Sequence, residues 1–208
     1  NFNNYSIYTP DWYRRYPGAW YPPAWYYGNP WICAPWPTLS TWMGYSNQPV
    51  SYDYGDNVVY QDNSVYVNGQ DVGTATEYYQ QAEDLANSGA DQTGTDEKWR
   101  SLGVIAVSDG SSQTAKMVLQ LAVDKQGIIR GNSTNTTTNE TQVIHGAVDK
   151  KTERAAWTIG DNQQMLMETG IYNLTKDQTP VLVHVSKDQT KQWLLVRLNQ
   201  KKDADDKS

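Results

Sequence analysis

One cysteine, Cys33, in a chain of 208 residues excludes an intramolecular disulfide framework. Two histidines, His145 and His184, are too few for a zinc constellation of the usual spacing. No Gly-rich phosphate loop, Ser elbow or paired-carboxylate motif occurs, so no nucleophile, acid–base pair or cofactor cradle is announced, and none is assigned. No run of roughly 18 or more apolar residues is present, so nothing reads as a membrane-spanning helix. Basic residues occur singly or in pairs against a net charge of −6, leaving no patch to neutralise a run of phosphates; nucleic acid is not an expected partner. The first residues lack the basic start and apolar stretch of a secretory leader, and the expectation is a mature, processed form.

What is abundant is unevenly spread. Six of the nine Trp, eleven of the fifteen Tyr and eight of the nine Pro fall in the first sixty residues. Residues 1–51 keep neither a helical nor a strand period. Frequent prolines remove backbone donors and push their predecessors out of the α region, so this segment reads as an extended aromatic, Pro-rich arm. Disordered segments are poor in aromatics, whereas each Trp or Tyr here buries on the order of 150–250 Å² once it finds a surface. Trp12, Tyr13, Trp20, Tyr21, Trp25, Tyr26, Tyr27, Trp31, Trp36 and Trp42 are therefore the candidate interface, either on the chain's own β-domain or on a neighbouring copy. Such rings also stack on sugars, but lectin-type grooves sit on rigid platforms; anchoring between proteins, where Trp and Tyr are the usual hot spots, is the more economical use.

Residues 52–95 read as a short hairpin, a helix and a linker. Val58 to Tyr60 and Ser64 to Val67 flank Gln61-Asp62-Asn63 and lead into Asn68-Gly69, a turn pair. A helix is expected over 74–88, capped by Thr74 with Glu77 three residues on, striped by Ala75, Tyr78, Ala82, Leu85 and Ala86, and ended by Gly89. Asp53, Asp56 and Asp62 could hold Ca²⁺ through oxygen ligands; turn chemistry explains them equally well.

Residues 96–199 form the β-domain, followed by a charged tail at 200–208. Strands are expected at 100–108, 115–124, 127–133, 141–148, 154–159, 165–172, 180–186 and 192–198, separated by short turns such as Asp124-Lys125-Gln126-Gly127 and Asp149-Lys150-Lys151-Thr152. Sequential strands so joined are antiparallel neighbours. The fold class is mainly β: an eight-stranded antiparallel meander, barrel or barrel-like sandwich, with one N-terminal helix and the extended arm. His145 and His184 read as ordinary strand residues. Asn132, Asn135 and Asn139 head three sequons in one Asn/Thr-rich loop, with two more at Asn4 and Asn173, and are candidate glycosylation sites; a plain polar loop explains them equally.

The stretch from Leu119-Gln120-Leu121-Ala122-Val123-Asp124 to Arg130-Gly131-Asn132, the segments Val148-Asp149-Lys150-Lys151-Thr152 and Glu168-Thr169-Gly170-Ile171-Tyr172-Asn173, and Gln192-Trp193-Leu194-Leu195-Val196-Arg197-Leu198 together resemble a group of uncharacterised planctomycete-type bacterial proteins labelled cell-surface or protocadherin-like. The resemblance covers about residues 52–198, including the Val65-Tyr66-Val67-Asn68-Gly69 hairpin. It implies a cell-surface or extracellular location after removal of a signal peptide, and no activity for any residue. The leading expectation is a non-enzymatic structural protein that self-assembles through its arm into a fibre, sheath or lattice, with other copies of itself and cell-envelope glycans as partners. The alternative is a barrel that binds a glycan or a small apolar ligand. Interior volume separates the two: a core filled by Met117, Leu119, Leu121, Trp157 and Leu195 leaves no room for a ligand.

Overall fold

In the computed structural model, residues 7–23, 25, 31–46, 48–90, 98–161 and 165–199 are described. Two short helices, α1 (Pro10–Arg15) and α2 (Trp36–Met43), interrupt the arm, which is therefore not extended throughout. Proline does not forbid them, because it sits in the first turn of each, where a missing N–H costs no hydrogen bond. Thr9 caps α1, and Gly44 at φ 73° ends α2 in the left-handed conformation.

A three-stranded sheet follows: β1 (Val58–Gln61), β2 (Ser64–Val67) and β3 (Gln70–Thr74). The expected hairpin is its first two strands. The third exists because Asn68 and Gly69 take φ values of 51° and 78°, the tight-turn geometry that folds the chain back once more. Helix α3 (Ala75–Ala90) starts as anticipated, with the Thr74 N–H on Glu77 Oε2 at 2.7 Å and the Glu77 N–H on Thr74 Oγ1 at 3.1 Å.

Eight sequential strands then close into an antiparallel barrel: β4 (Trp99–Ser108), β5 (Met117–Asp124), β6 (Ile128–Asn135), β7 (Thr141–Val148), β8 (Arg154–Ile159), β9 (Leu166–Gly170), β10 (Gln178–Ser186) and β11 (Gln189–Leu198). Closure joins β11 to β4, from Leu194 opposite Ser108 to Leu198 opposite Val104, and removes both edges. The interior is packed with apolar side chains. Leu119, Leu121 and Trp157 are fully buried, Leu195 nearly so, and Met117 packs against them from the rim. Helix α2 joins this same core through Trp36, Leu39 and Met43. It lies across one barrel end, tied there by the Ala34 N–H on Ser101 O at 3.1 Å and by Trp36 edge-on to Tyr172 at 5.3 Å.

The outer face has two coverings. Helix α3 lies on β7 and β8, burying Ala82 and Ala86 against Ala156 and Leu166. Gly89, expected at the helix end, is instead within α3 and buried against the barrel. A Cβ there would stand 1.8 Å from Gly146 O, so the glycine serves close approach. Arg130 Nη2 donates to Gly89 O at 2.6 Å, placing a cation at the carbonyl end of the helix. The small sheet packs Val58 and Val65 beside Tyr54, Tyr78 and Leu182. The first part of the arm covers β4, β5 and β6.

Candidate functional site: the arm cradle and a sealed ion cluster

Along β5 and β6, Val118, Ala122 and Ile128 alternate outward with Gln120, Asn132 and Thr134, and β4 adds Val104 and Ala106. The arm lies on this face. Tyr8, Trp12, Tyr13 and Trp31 are buried in one cluster with those apolar residues and Trp99, and Trp20, Tyr21 and Trp25 are half-buried against it. The rings meet mostly edge to face: Tyr8 and Trp12 at 4.8 Å, Tyr13 and Tyr21 at 4.8 Å, Trp20 and Trp99 at 5.0 Å. Trp12 stacks on Tyr16 at 4.5 Å. Each such pair contributes about 0.5–1.5 kcal/mol beyond burial.

Polar groups also tie the arm to the cradle. Asn132 accepts from the Trp20 N–H at 2.7 Å and donates to Trp20 O at 2.7 Å, so one side-chain amide satisfies both main-chain groups of an arm residue. Asn132 also donates to Gln120 Oε1 at 2.8 Å, which accepts from the Tyr13 hydroxyl at 3.1 Å. The Tyr8 hydroxyl donates to Val118 O at 2.9 Å and lies 2.9 Å from Thr134 Oγ1. Gln120 and Asn132 are fully buried although they project from the outside of the barrel. Burial drives both Tyr8 and Tyr13 well above the ordinary phenol pKa.

The candidate interface residues thus fall into two groups. Trp12, Tyr13, Trp20, Tyr21, Trp25 and Trp31 sit in the cradle. Trp36 is buried in the barrel core, and Trp42 packs beside it with the Arg100 guanidinium 5.3 Å from its ring. Tyr26 and Tyr27 lie outside the described residues. The sequons also divide. Asn132 cannot carry a glycan in the folded chain, because its amide is fully buried and occupied; the same holds for Asn173, whose side chain binds both main-chain groups of Tyr52. Asn135 is the exposed last residue of β6, Asn139 lies in the exposed turn that follows it, and Asn4 lies outside the described residues. Among the described residues no group of His, Cys, Asp or Glu is placed to hold a metal ion. Asp53 and Asp62 serve turns: Asp53 O accepts from the Asp56, Asn57 and Val58 N–H groups, and Asp62 sits at φ 51°.

The opposite face of the barrel holds a charge cluster around His184, which from the sequence reads as an ordinary strand residue. Arg154 on β8, Glu168 on β9 and His184 on β10 project outward beneath α3 and the small sheet. Arg154 Nη2 lies 2.5 Å from Glu168 Oε2, and His184 Nε2 lies 3.0 Å from the same oxygen. Relative exposures are 6%, 0% and 2%, so the cluster is sealed. Arg154 also donates to Tyr78 O at 2.8 Å and Gln81 Oε1 at 3.1 Å, and its guanidinium stands 3.6 Å from the Tyr78 ring centroid. The Tyr54 hydroxyl donates to Glu168 O at 3.0 Å. Burial pushes the Glu168 carboxyl up, but the Arg154 charge and the His184 contact outweigh it and hold the pKa below the usual carboxylate value. Burial and the neighbouring Glu168 charge raise Tyr78 and Tyr54 well above theirs. The Glu168–His184 pair is enclosed, and the cluster is tied to α3 through Arg154 on Tyr78 O and Gln81 and through Tyr79 edge-on to the His184 ring at 5.4 Å.

No family model, curated protein or solved structure matches the chain. Among the described residues, no helix is long and apolar enough to cross a membrane.

Proposed function

We propose that this chain is a non-enzymatic structural protein of the cell exterior whose copies are joined through the aromatic arm. The observation that carries the reading is the latch on Trp20. Asn132 engages both of its main-chain groups, while Gln120 and Thr134 engage the hydroxyls of Tyr13 and Tyr8. Such a latch recognises one segment of peptide, and any copy of that segment supplies the same groups. In a single chain the chain's own arm fills the cradle. Joining copies therefore takes exchange: an arm leaves its own barrel and occupies the next, and the step repeated gives a ring or an open filament. Closed and exchanged forms contain the same contacts, so concentration biases the balance between them.

The location rests on the resemblance to cell-surface proteins and on a composition in which Asn, Thr, Tyr, Gly and Trp replace much Lys and Glu. The packed barrel interior, with Leu119, Leu121 and Trp157 fully buried, weighs against a ligand held inside the barrel.

The test mixes ¹⁵N-labelled and unlabelled chains carrying a photo-cross-linker at Tyr16, with light scattering alongside. Exchange gives cross-linked arm–barrel peptide pairs of mixed isotope and a mass that grows with concentration. Pairs of single isotope and a monomer mass at every concentration would reject the reading.

A further inference from the structure

The three-stranded sheet overhangs the β7–β8 end of the barrel and leaves a half-open groove of 390 Å³ bounded by α3 on its third side. This is within the size range of small-ligand sites, about 300–1,000 Å³. We infer that the groove binds a neutral sugar, one or two rings of a glycan, independently of whether arms exchange.

Three observations lead there. First, the groove is braced. Gln81 Nε2 on α3 donates to Val72 O at 3.0 Å, Arg154 donates to Gln81 Oε1 at 3.1 Å, and the Tyr52 hydroxyl donates to Thr152 O at 2.7 Å. Helix, sheet and barrel end are cross-tied, so the site does not have to be ordered at the expense of affinity. Second, its lining is split. Val50, Val67, Val72 and Leu85 give an apolar wall suited to the C–H face of a pyranose ring, while Asn68, Gln70, Asp149 and Lys151 bring amide, carboxylate and ammonium groups suited to hydroxyls. Gln70 and Lys151 are exposed and, among the described residues, their side chains have no hydrogen-bond partner, which leaves their donors to a ligand. Third, the charges cancel. Asp149 and Lys151 contribute one charge of each sign to the lining, and Arg154 is neutralised by Glu168 beneath it. An ionic ligand gains no net attraction, whereas a neutral polyol meets both donors and acceptors.

Each of maltose, cellobiose and diacetylchitobiose is titrated into the ¹⁵N-labelled full chain, with sodium octanoate as an apolar, anionic comparison. A site of this size and openness is expected to bind at about 1 mM. At least one disaccharide should then give saturable shifts at the amides of Gln70, Val72, Gln81 and Lys151. Gln70→Ala and Lys151→Ala, both exposed and remote from the packed layers, should each weaken that binding at least about threefold. No saturable shift from any of the three sugars, shifts confined to other surfaces, or binding by octanoate alone would overturn the assignment. Because the assay reads the groove and not the arm, its failure leaves the exchange reading untouched.

Discussion

Removing Arg154 tests whether the ion cluster is as sealed as its geometry implies. With guanidinium and carboxylate centres roughly 4 Å apart, the gross attraction is about 4 kcal/mol at an effective dielectric constant near 20. Desolvation offsets much of that in the intact pair. Once the partner is gone the penalty stands uncompensated, because Glu168 has no water to return to. Arg154→Met keeps most of the aliphatic volume but also leaves Tyr78 O and the Gln81 side chain without their donor. The expected cost is about 3–5 kcal/mol, read as a lower urea midpoint at unchanged slope, with α3 amides losing exchange protection first. The double variant Arg154→Met, Glu168→Leu should recover most of the loss, since no charge is then buried alone. Glu168→Gln adds the pH axis. A carboxyl whose pKa is lowered on folding contributes stability that is full above its unfolded value, about 4.3, and is lost as pH falls through its folded value. The wild type should therefore exceed Glu168→Gln at pH 7 and converge on it in acid. A loss under about 1 kcal/mol for Arg154→Met would refute the reasoning, because an enclosed Glu168 must then either stay charged with only His184 beside it or take up a proton far above its unfolded pKa, and both are costly.

Asn132→Leu should cost about 1–3 kcal/mol and loosen the arm, seen as red-shifted Trp fluorescence, since the Trp20 main chain loses both partners. Gly89→Ala should destabilise by about 1–3 kcal/mol in spite of alanine's better helix propensity, because the new Cβ would stand 1.8 Å from Gly146 O; Gly18→Ala, with nothing within 4 Å, should change the urea midpoint little. Trp157→Ala should cost about 3–5 kcal/mol as an internal cavity. Phenol titration followed at 295 nm should leave Tyr8, Tyr13, Tyr54 and Tyr78 neutral at pH 11. Because folding raises their pKa values, their stabilisation is whole below the unfolded pKa of about 10 and declines above it, so alkaline unfolding should be cooperative.

Much of the barrel is visible in local pattern. Leu119, Leu121 and Val123 on one face of β5, and Ala155, Trp157 and Ile159 on one face of β8, show the period of two that a half-covered strand requires, and Asp124 to Gly127 is turn chemistry that leaves the next strand no choice but to return. The capping box at Thr74 and Glu77 likewise places the start of α3, because both partners lie within four residues. Elements whose determinants are close in sequence were legible for that reason.

The site was not, since its partners are far apart along the chain. Asn132 meets Trp20 across 112 positions, and Tyr8 meets Thr134 across 126. An excess of Trp and Tyr on irregular backbone says that rings must be covered, and nothing in it says by which surface. His184 reads as an ordinary strand residue, and Arg154 and Glu168 lie on two other strands; only the pairing of Glu168 with Leu182, and of Arg154 with Gly170, brings the three to one spot, and only α3 and the small sheet shut out the water that would otherwise screen them. The split of the arm, with Trp36 inside the barrel core and Trp12 outside on the cradle, follows the same logic. The sequence alone determined strand spacing, turn chemistry and the need to bury the arm, because backbone sterics and side-chain period act over a few residues. Barrel closure, strand register and the identity of each buried partner were decided by tertiary structure, because shielding from water depends on groups that meet only when the whole chain is folded.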